Sequence, residues 1–272
     1  MSKSKVLFIN TEVMPYLPES RMAKIGRQLP QGIQEAGHEI RTFMPRFGVI
    51  NERRNQLHEV IRLSGMNIII GDVDRPLVIK VASISAARMQ VYFIDNEDYF
   101  KRKQVYGPEN GKFFEDNGER AAFFARGVLE TVKKLRWAPD IIHCIGWMSC
   151  LLPLYLKKAY IQDPIFSSCK AVTTFFNDIP AGALPENLGK TILYGGIKSE
   201  DVFDGEPLDG IKLAELAARY SDGVAFGSED VDPQLKAYCE KIGKRVLPLD
   251  PKDLADGTCA GKYNDFYEQL HQ

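Results

Sequence analysis

The sequence predicts an α/β fold: a Rossmann-like, doubly wound, mainly parallel sheet that carries an antiparallel β insertion. Three observations predict it. Short continuous apolar runs rich in β-formers recur along the chain, as strands buried on both faces require. Segments with apolar residues at helical spacing separate them. Residues 56–83 break this alternation with three short β-like runs divided by turn residues.

Residues 6–9, Val-Leu-Phe-Ile, make the first strand. After a loop punctuated by Pro15 and Pro18, residues 21–36 place Met22, Ile25, Leu29, Ile33 and Ala36 on one helical face. The helix stops at Gly37, a residue suited to a left-handed C-cap, and Pro30 is expected to bend or break it. Residues 39–44 form the second strand, so the chain opens as β-loop-α-β. The insertion runs over 57–63, 67–70 and 77–83, and 90–95 returns to the apolar strand pattern. A long amphipathic helix over 119–135 leads to a buried strand over 140–145 and a helix over 148–160. A strand over 170–176, a helix over 211–220 and a last short strand over 223–226 follow. Beyond Lys244 the pattern weakens into Pro-, Asp- and Gly-rich sequence. The expected organisation is one domain over residues 1–244 and a tail or docking segment over 245–272.

Bulk properties narrow the function classes. The 272 residues are 44% hydrophobic and 26% charged, an ordinary soluble composition. A net charge of −1, from 35 Lys and Arg against 36 Asp and Glu, gives no global attraction to nucleic acid or to an anionic membrane, so any polyanion site has to be local. Five cysteines without paired spacing argue against a disulfide framework or structural zinc and fit a reducing cytoplasm. The opening apolar run is too short for a signal-peptide core, and no later run approaches the ~20 residues that span a bilayer. None of the four histidines has metal-ligand spacing. Gly189-Lys-Thr191 is a chance echo of a phosphate loop, because Leu184 stands where its first glycine belongs. No glycine-rich dinucleotide fingerprint follows the first strand, no Gly-x-Ser-x-Gly elbow is present, and Lys101, Arg102 and Lys103 read as a solvated loop cluster.

In an open parallel sheet the informative residues stand just after each strand. Those after the first strand read Asn10-Thr-Glu-Val-Met-Pro-Tyr-Leu-Pro-Glu-Ser-Arg-Met-Ala-Lys-Ile25, followed by Leu29-Pro30. The next group holds Asp95, Asn96, Tyr99, Arg102, Tyr106, Gly107, Asp116, Asn117, Arg120, Arg126 and Glu130. Then come Pro139-Asp-Ile-Ile-His-Cys-Ile-Gly-Trp-Met148, Val172-Thr-Thr-Phe-Phe-Asn-Asp178 and Tyr194-Gly-Gly-Ile197.

This spaced order, from about residue 5 to 230, resembles the glycogen and starch synthases, ADP-glucose-using retaining glucosyltransferases of the GT-B fold. The resemblance implies a single N-terminal, acceptor-side GT-B lobe. It implies a cleft marked by Glu12, Pro15, Arg21, Lys24, His143, Trp147, Asn177, Gly195 and Gly196. Asp95, Asn96, Tyr99, Asp116, Asn117 and Arg120 match the family in structural roles, with Asp95, Asn96, Asp116 and Asn117 expected to cap helices and turns.

The departures fall where the family's chemistry would be. Pro18-Glu-Ser-Arg-Met22 replaces the Lys-Thr-Gly-Gly-Leu phosphate cradle, and Lys24 replaces the following Asp. A cradle needs small residues that let backbone N–H groups close on the anion, and here Pro18 removes a donor and Glu19 repels phosphate. Ile145 and Gly146 stand at the family's sugar-facing His and at its Asp. Phe176 replaces another His, and Tyr194 a Lys. An isoleucine cannot hydrogen-bond a sugar hydroxyl or stabilise developing charge. His143, alone on a buried strand, reads as a satisfied core histidine and not as a catalytic base.

No catalytic residue, metal or cofactor is therefore expected. Three readings stand. The first is a synthase-like domain, impaired or inactive alone, that binds a glucan, a metabolite or a partner in its old cleft. The second is an active or split glucosyltransferase that adds glucose from ADP-glucose to an α-1,4-glucan with a separately encoded GT-B C-terminal lobe. The third is a purely structural subunit whose cleft is filled by Phe176, Ile145 and Met22. The partner classes are a glucan or sugar nucleotide, that second lobe, or a second copy of the chain, with neither nucleic acid nor membrane.

Overall fold

A computed structural model describes residues 3–108, 113–180, 184, 188–202, 208–250, 252–253 and 258–271. Met1 and Ser2, which begin the expected domain, and parts of the expected tail lie outside the described residues. The strands are β1 (Lys5–Asn10), β2 (Glu39–Pro45), β3 (His58–Glu59), β4 (Met66–Ile70), β5 (Val73–Ile84), β6 (Met89–Asp95), β7 (Ile141–Ile145), β8 (Lys170–Phe175), β9 (Gly223–Phe226) and β10 (Val246–Leu247). The helices are α1 (Arg21–Glu35), α2 (Glu97–Phe100), α3 (Asn117–Leu135), α4 (Leu152–Lys158), α5 (Leu188–Ile192), α6 (Ser199–Val202), α7 (Gly210–Tyr220), α8 (Pro233–Lys241) and α9 (Ala260–Leu270).

The sheet order is β10-β9-β8-β7-β1-β2-β6-β5-β3. All pairs from β10 to β6 are parallel, and β5 turns antiparallel against β6, with β3 and β4 antiparallel to β5. The insertion thus closes one edge of a parallel sheet. Chain order runs outward from β1 through β2 to β6 on one side and from β7 to β10 on the other. The reversal lies between β1 and β7, and the crevice outside their carboxyl ends is where this topology places a ligand.

Both faces of the sheet are covered, which accounts for the uninterrupted apolar strands. Leu7, Ile9, Phe43, Ile142 and Cys144 share one core with Phe123, Phe124 and Val128 of α3 and Leu154 of α4. Val6, Phe8, Ile141, Ile145 and Val172 share the other with Ile25, Leu29 and Ile33 of α1 and Tyr263, Phe266 and Tyr267 of α9. The sequence beyond Lys244 therefore supplies β10, paired with β9, and α9, packed on α1. No helix among the described residues is long and apolar enough to cross a membrane.

Several expectations are corrected. Pro30 does not interrupt α1, which is continuous from Arg21 to Glu35. Proline costs a helix interior roughly 3 kcal/mol. Full burial of Met22, Ile25, Leu29 and Ile33, at ~1.5–3 kcal/mol each, outweighs it. The helix expected over 148–160 is a 3₁₀ turn, Trp147–Ser149, followed by α4, because Pro153 favours the first turn of a new helix. Of the run 57–63 only His58 and Glu59 join a ladder, and β10 follows the strand expected to be last.

Candidate functional site

At the switch point, the loops after β1 and β7 are tied together: Thr11 N donates to Ile145 O at 2.8 Å and Thr11 Oγ1 to the same carbonyl at 3.0 Å. Gly146 begins the turn after β7 with φ +84°. A Cβ there would lie 2.4 Å from Met22 Sδ and 2.5 Å from Thr11 Oγ1, so no side chain fits at the position where the resemblance implies an Asp.

The first turn of α1 stands where the resemblance implies a phosphate cradle. Ser20 is its N-cap: Oγ accepts from Ala23 N at 2.9 Å and donates to Glu12 Oε2 at 2.6 Å. Tyr106 OH donates to Glu12 Oε1 at 2.9 Å. The chain's own carboxylate, relayed through Ser20, thus sits at the helix end that would attract an anion.

Glu12, Ser20, Arg21, Met22, Phe176, Asn177, Asp178, Ser228, Glu229 and Asp230 line a cleft of about 560 Å³. Four of these are carboxylates and one is a cation. Asp178 accepts from Trp147 N at 2.9 Å, and burial, reinforced by the nearby charge of Glu12, pushes its pKa up to about 7. Asn177 Nδ2 donates to Asp230 Oδ2 at 3.1 Å, and hydrogen bonds to Asp230 hold its pKa below the usual carboxylate value. Trp147 packs edge-on against Tyr106, with ring centroids 5.6 Å apart, and meets the half-exposed Phe113 at 6.4 Å.

Of the residues singled out in the sequence, Glu12, Arg21 and Asn177 line this cleft, and Trp147 touches it through Asp178. The others lie elsewhere. Lys24 pairs with Glu19 at the surface, and exposed Pro15 sits outside the lining. Gly195 and Gly196, at φ +60° and +92°, form a turn against Ala159 at the end of α4. Beside them Tyr194 lies under the Arg126 guanidinium, 3.5 Å from its ring centre.

His143 is enclosed in the second core. Nδ1 lies 2.6 Å from Tyr267 OH and Nε2 lies 2.7 Å from Thr174 Oγ1, and burial lowers its pKa to about 3. The ring is neutral, with both nitrogens engaged. Ile145 is fully buried, and Phe176 lies so close over Gly227 that a Cβ there would be 2.3 Å from its ring.

Residues 95–108 and 113–120 build the wall that carries Tyr106. Asn96 caps α2, accepting from Tyr99 N at 3.2 Å, whereas Asp95 and Asp116 do not cap. Asp95 pairs with Arg46 at 3.0 Å and Lys80 at 3.1 Å, and Asp116 grips Arg102 with both oxygens, because a cation in reach holds a carboxylate more strongly than a backbone amide does. Asn117 Nδ2 donates to Tyr106 O at 2.7 Å. Tyr99 OH donates to Glu119 at 2.9 Å. Buried Arg120 donates to Tyr99 O, Val105 O and Asn117 Oδ1.

Sequence reasoning passed over Ser20 as a cap, Asp178 as a lining carboxylate, and the whole of Ser228-Glu-Asp230. The last group follows β9, a strand whose carboxyl end was the available signal.

The sequence matches the starch synthase catalytic domain family over residues 5–236. It is 36% identical over 272 residues to a glycogen synthase of Chlorobium phaeovibrioides, covering 98% of this chain and 55% of that protein. A glycogen synthase of Chlorobium limicola is 37% identical over 219 residues, 80% of this chain and 44% of that one. The chain spans about half the length of these curated relatives. Its fold is similar to the catalytic domain of starch synthase IV from Arabidopsis thaliana, solved bound to ADP and acarbose, with a TM-score of 0.73, 17% identity, and coverage of 90% of this chain and 51% of that one. A doubly wound sheet with its crevice at the β1/β7 reversal, the match over residues 5–236 and these identities together place the chain in the glycogen and starch synthase family, as a GT-B lobe.

Proposed function

We propose that this lobe binds a neutral saccharide, a glucan segment, in the cleft and neither holds a sugar nucleotide nor transfers glucose on its own residues. The observation that carries the reading is the charge of the lining: Glu12, Glu229 and Asp230, with Asp178 partly ionised near pH 7, against the single Arg21. A diphosphate brought into such a cleft meets like charge on several sides, with no glycine loop to offer backbone donors. A saccharide brings hydroxyl donors, for which carboxylates and the Asn177 carbonyl are good acceptors.

The replaced positions support the same reading. Ile145 supplies no group to the reacting centre, and His143 has no free nitrogen to move a proton. ADP and acarbose, present in the starch synthase IV structure, serve as natural probes of the two halves of this proposal.

Calorimetric titration with maltooligosaccharides, ADP and ADP-glucose, together with a glucan-extension assay from ADP-glucose, tests it. Saturable saccharide binding without ADP binding or extension is the expected result. Extension of a primer by this chain, or ADP binding as tight as saccharide binding, would falsify it.

A further inference from the structure

At the opposite end of the sheet, where β2 and β6 begin, a second pocket of about 440 Å³ has the reverse polarity. Arg41, Arg88, Ser83, Ser85, Gln90 and Tyr92 contribute to its lining, and among the described residues no carboxylate does. In a chain of net charge −1, two guanidinium groups without an acid in one pocket form a local exception.

Neither arginine is in an ion pair among the described residues. Arg41 is held by π contacts on two sides, its guanidinium carbon 5.1 Å from the Trp137 ring and 5.8 Å from Tyr92, and its Nη1 donates to Tyr92 OH at 2.8 Å. Its Nε is shielded from solvent and has no acceptor, an unmet donor on a charged group. Glu39, two residues earlier on the same side of β2, accepts from Trp137 Nε1 at 2.6 Å and makes no ion pair with Arg41. Arg88 closes the 3₁₀ turn Ser85–Ala87 in the left-handed region, at φ +50°, a conformation that glycine would adopt freely. Gln34 Nε2 donates to Arg88 O at 3.3 Å and fixes that turn to α1, so the second guanidinium is presented from an anchored backbone.

We infer that this pocket binds a phosphate group, borne by a small phosphomonoester or free as inorganic phosphate. Arginine matches a tetrahedral oxyanion in charge and in donor geometry, and Ser83 and Ser85 add hydroxyl donors beside it. The site is independent of the cleft reading: it shares no residue with the cleft and opens at the amino ends of the strands.

Calorimetric titration with inorganic phosphate and, separately, with glycerol 3-phosphate tests it on the full chain. Saturable binding of either is expected, and the tighter of the two identifies the source. Arg88→Gln, on an exposed side chain, should weaken that binding about tenfold, and Arg41→Gln at least as much. Arg21→Gln, in the acidic cleft, should leave it unchanged. Absence of saturable binding at millimolar concentrations, or binding that survives both Arg88→Gln and Arg41→Gln but falls with Arg21→Gln, overturns the inference.

Discussion

Glu12 Oε2 and Ser20 Oγ lie 2.6 Å apart, so the hydroxyl that caps α1 also holds a carboxylate against the helix start. One hydroxyl thereby links the loop after β1 to the first helix, and its loss should be felt by both. Ser20→Ala is expected to cost about 0.5–2 kcal/mol of stability, the range for an N-cap serine. Denaturant unfolding of the variant checks this, and an unchanged midpoint would mean that the cap is not formed.

Asp178 makes the stability of the fold depend on pH in a definite direction. Its folded pKa of about 7 exceeds the roughly 3.9 of an unfolded aspartate, so the folded state favours the protonated form. The stabilisation that the proton brings is whole below about pH 4 and is lost as pH rises to about 7. Asp178→Asn cannot ionise. Its stability advantage over the parent chain should grow between about pH 4 and 7 and stay constant above. Parallel unfolding curves across that window test the sign, and a constant difference throughout rules the shift out.

Gly146 and Gly196 separate crowding from backbone strain. Both have positive φ, but only at Gly146 would a Cβ meet other atoms. Gly196→Ala should cost the left-handed strain alone, roughly 1–2 kcal/mol. Gly146→Ala should cost that plus about 1–3 kcal/mol of overpacking against Met22 and Thr11. Equal losses in the two variants would show that Met22 moves aside.

His143 is predicted to matter for folding and not for ligand binding. Tyr267→Phe removes the partner of its Nδ1 in a buried core and should cost about 1–3 kcal/mol. Saccharide affinity, read by calorimetry on the folded variant, should stay as it was. A loss of affinity without a loss of stability would place His143 in the site after all.

The acidic rim of the cleft is expected to set its ligand preference. In Glu229→Gln/Asp230→Asn, ADP affinity should rise severalfold while saccharide affinity falls modestly, because amide carbonyls are weaker acceptors than carboxylates. If ADP remains unbound, charge is not what excludes it.

The parallel sheet was legible because strands buried on both faces must be continuously apolar, and Val6 to Ile9 or Ile141 to Ile145 show that pattern without interruption. The ends of elements were less so. Two-residue strands such as β10 leave no periodicity, and the 3₁₀ turn at Trp147–Ser149 carries apolar residues that read as helix. In the site, the substituted positions were visible as residue types, but their consequences were not. That Ser20 would cap α1 and recruit Glu12, or that Asp116 would choose Arg102 over the helix end, depends on how the loops between these neighbouring segments fold back, which residue types alone do not give. The phenol contact of Tyr106 with Glu12 joins residues 94 apart in the chain, which no local pattern reveals.

Two margins of the sheet are two residues long, β10 and β3, and the third, the five-residue side strand β4, has its Ile69 carbonyl engaged by Arg126. Each margin therefore offers a neighbouring molecule only a few unpaired backbone groups. Copies of this lobe have little to zip together by strand addition, so even concentrated solutions should resist the sheet-to-sheet aggregation that long open margins invite.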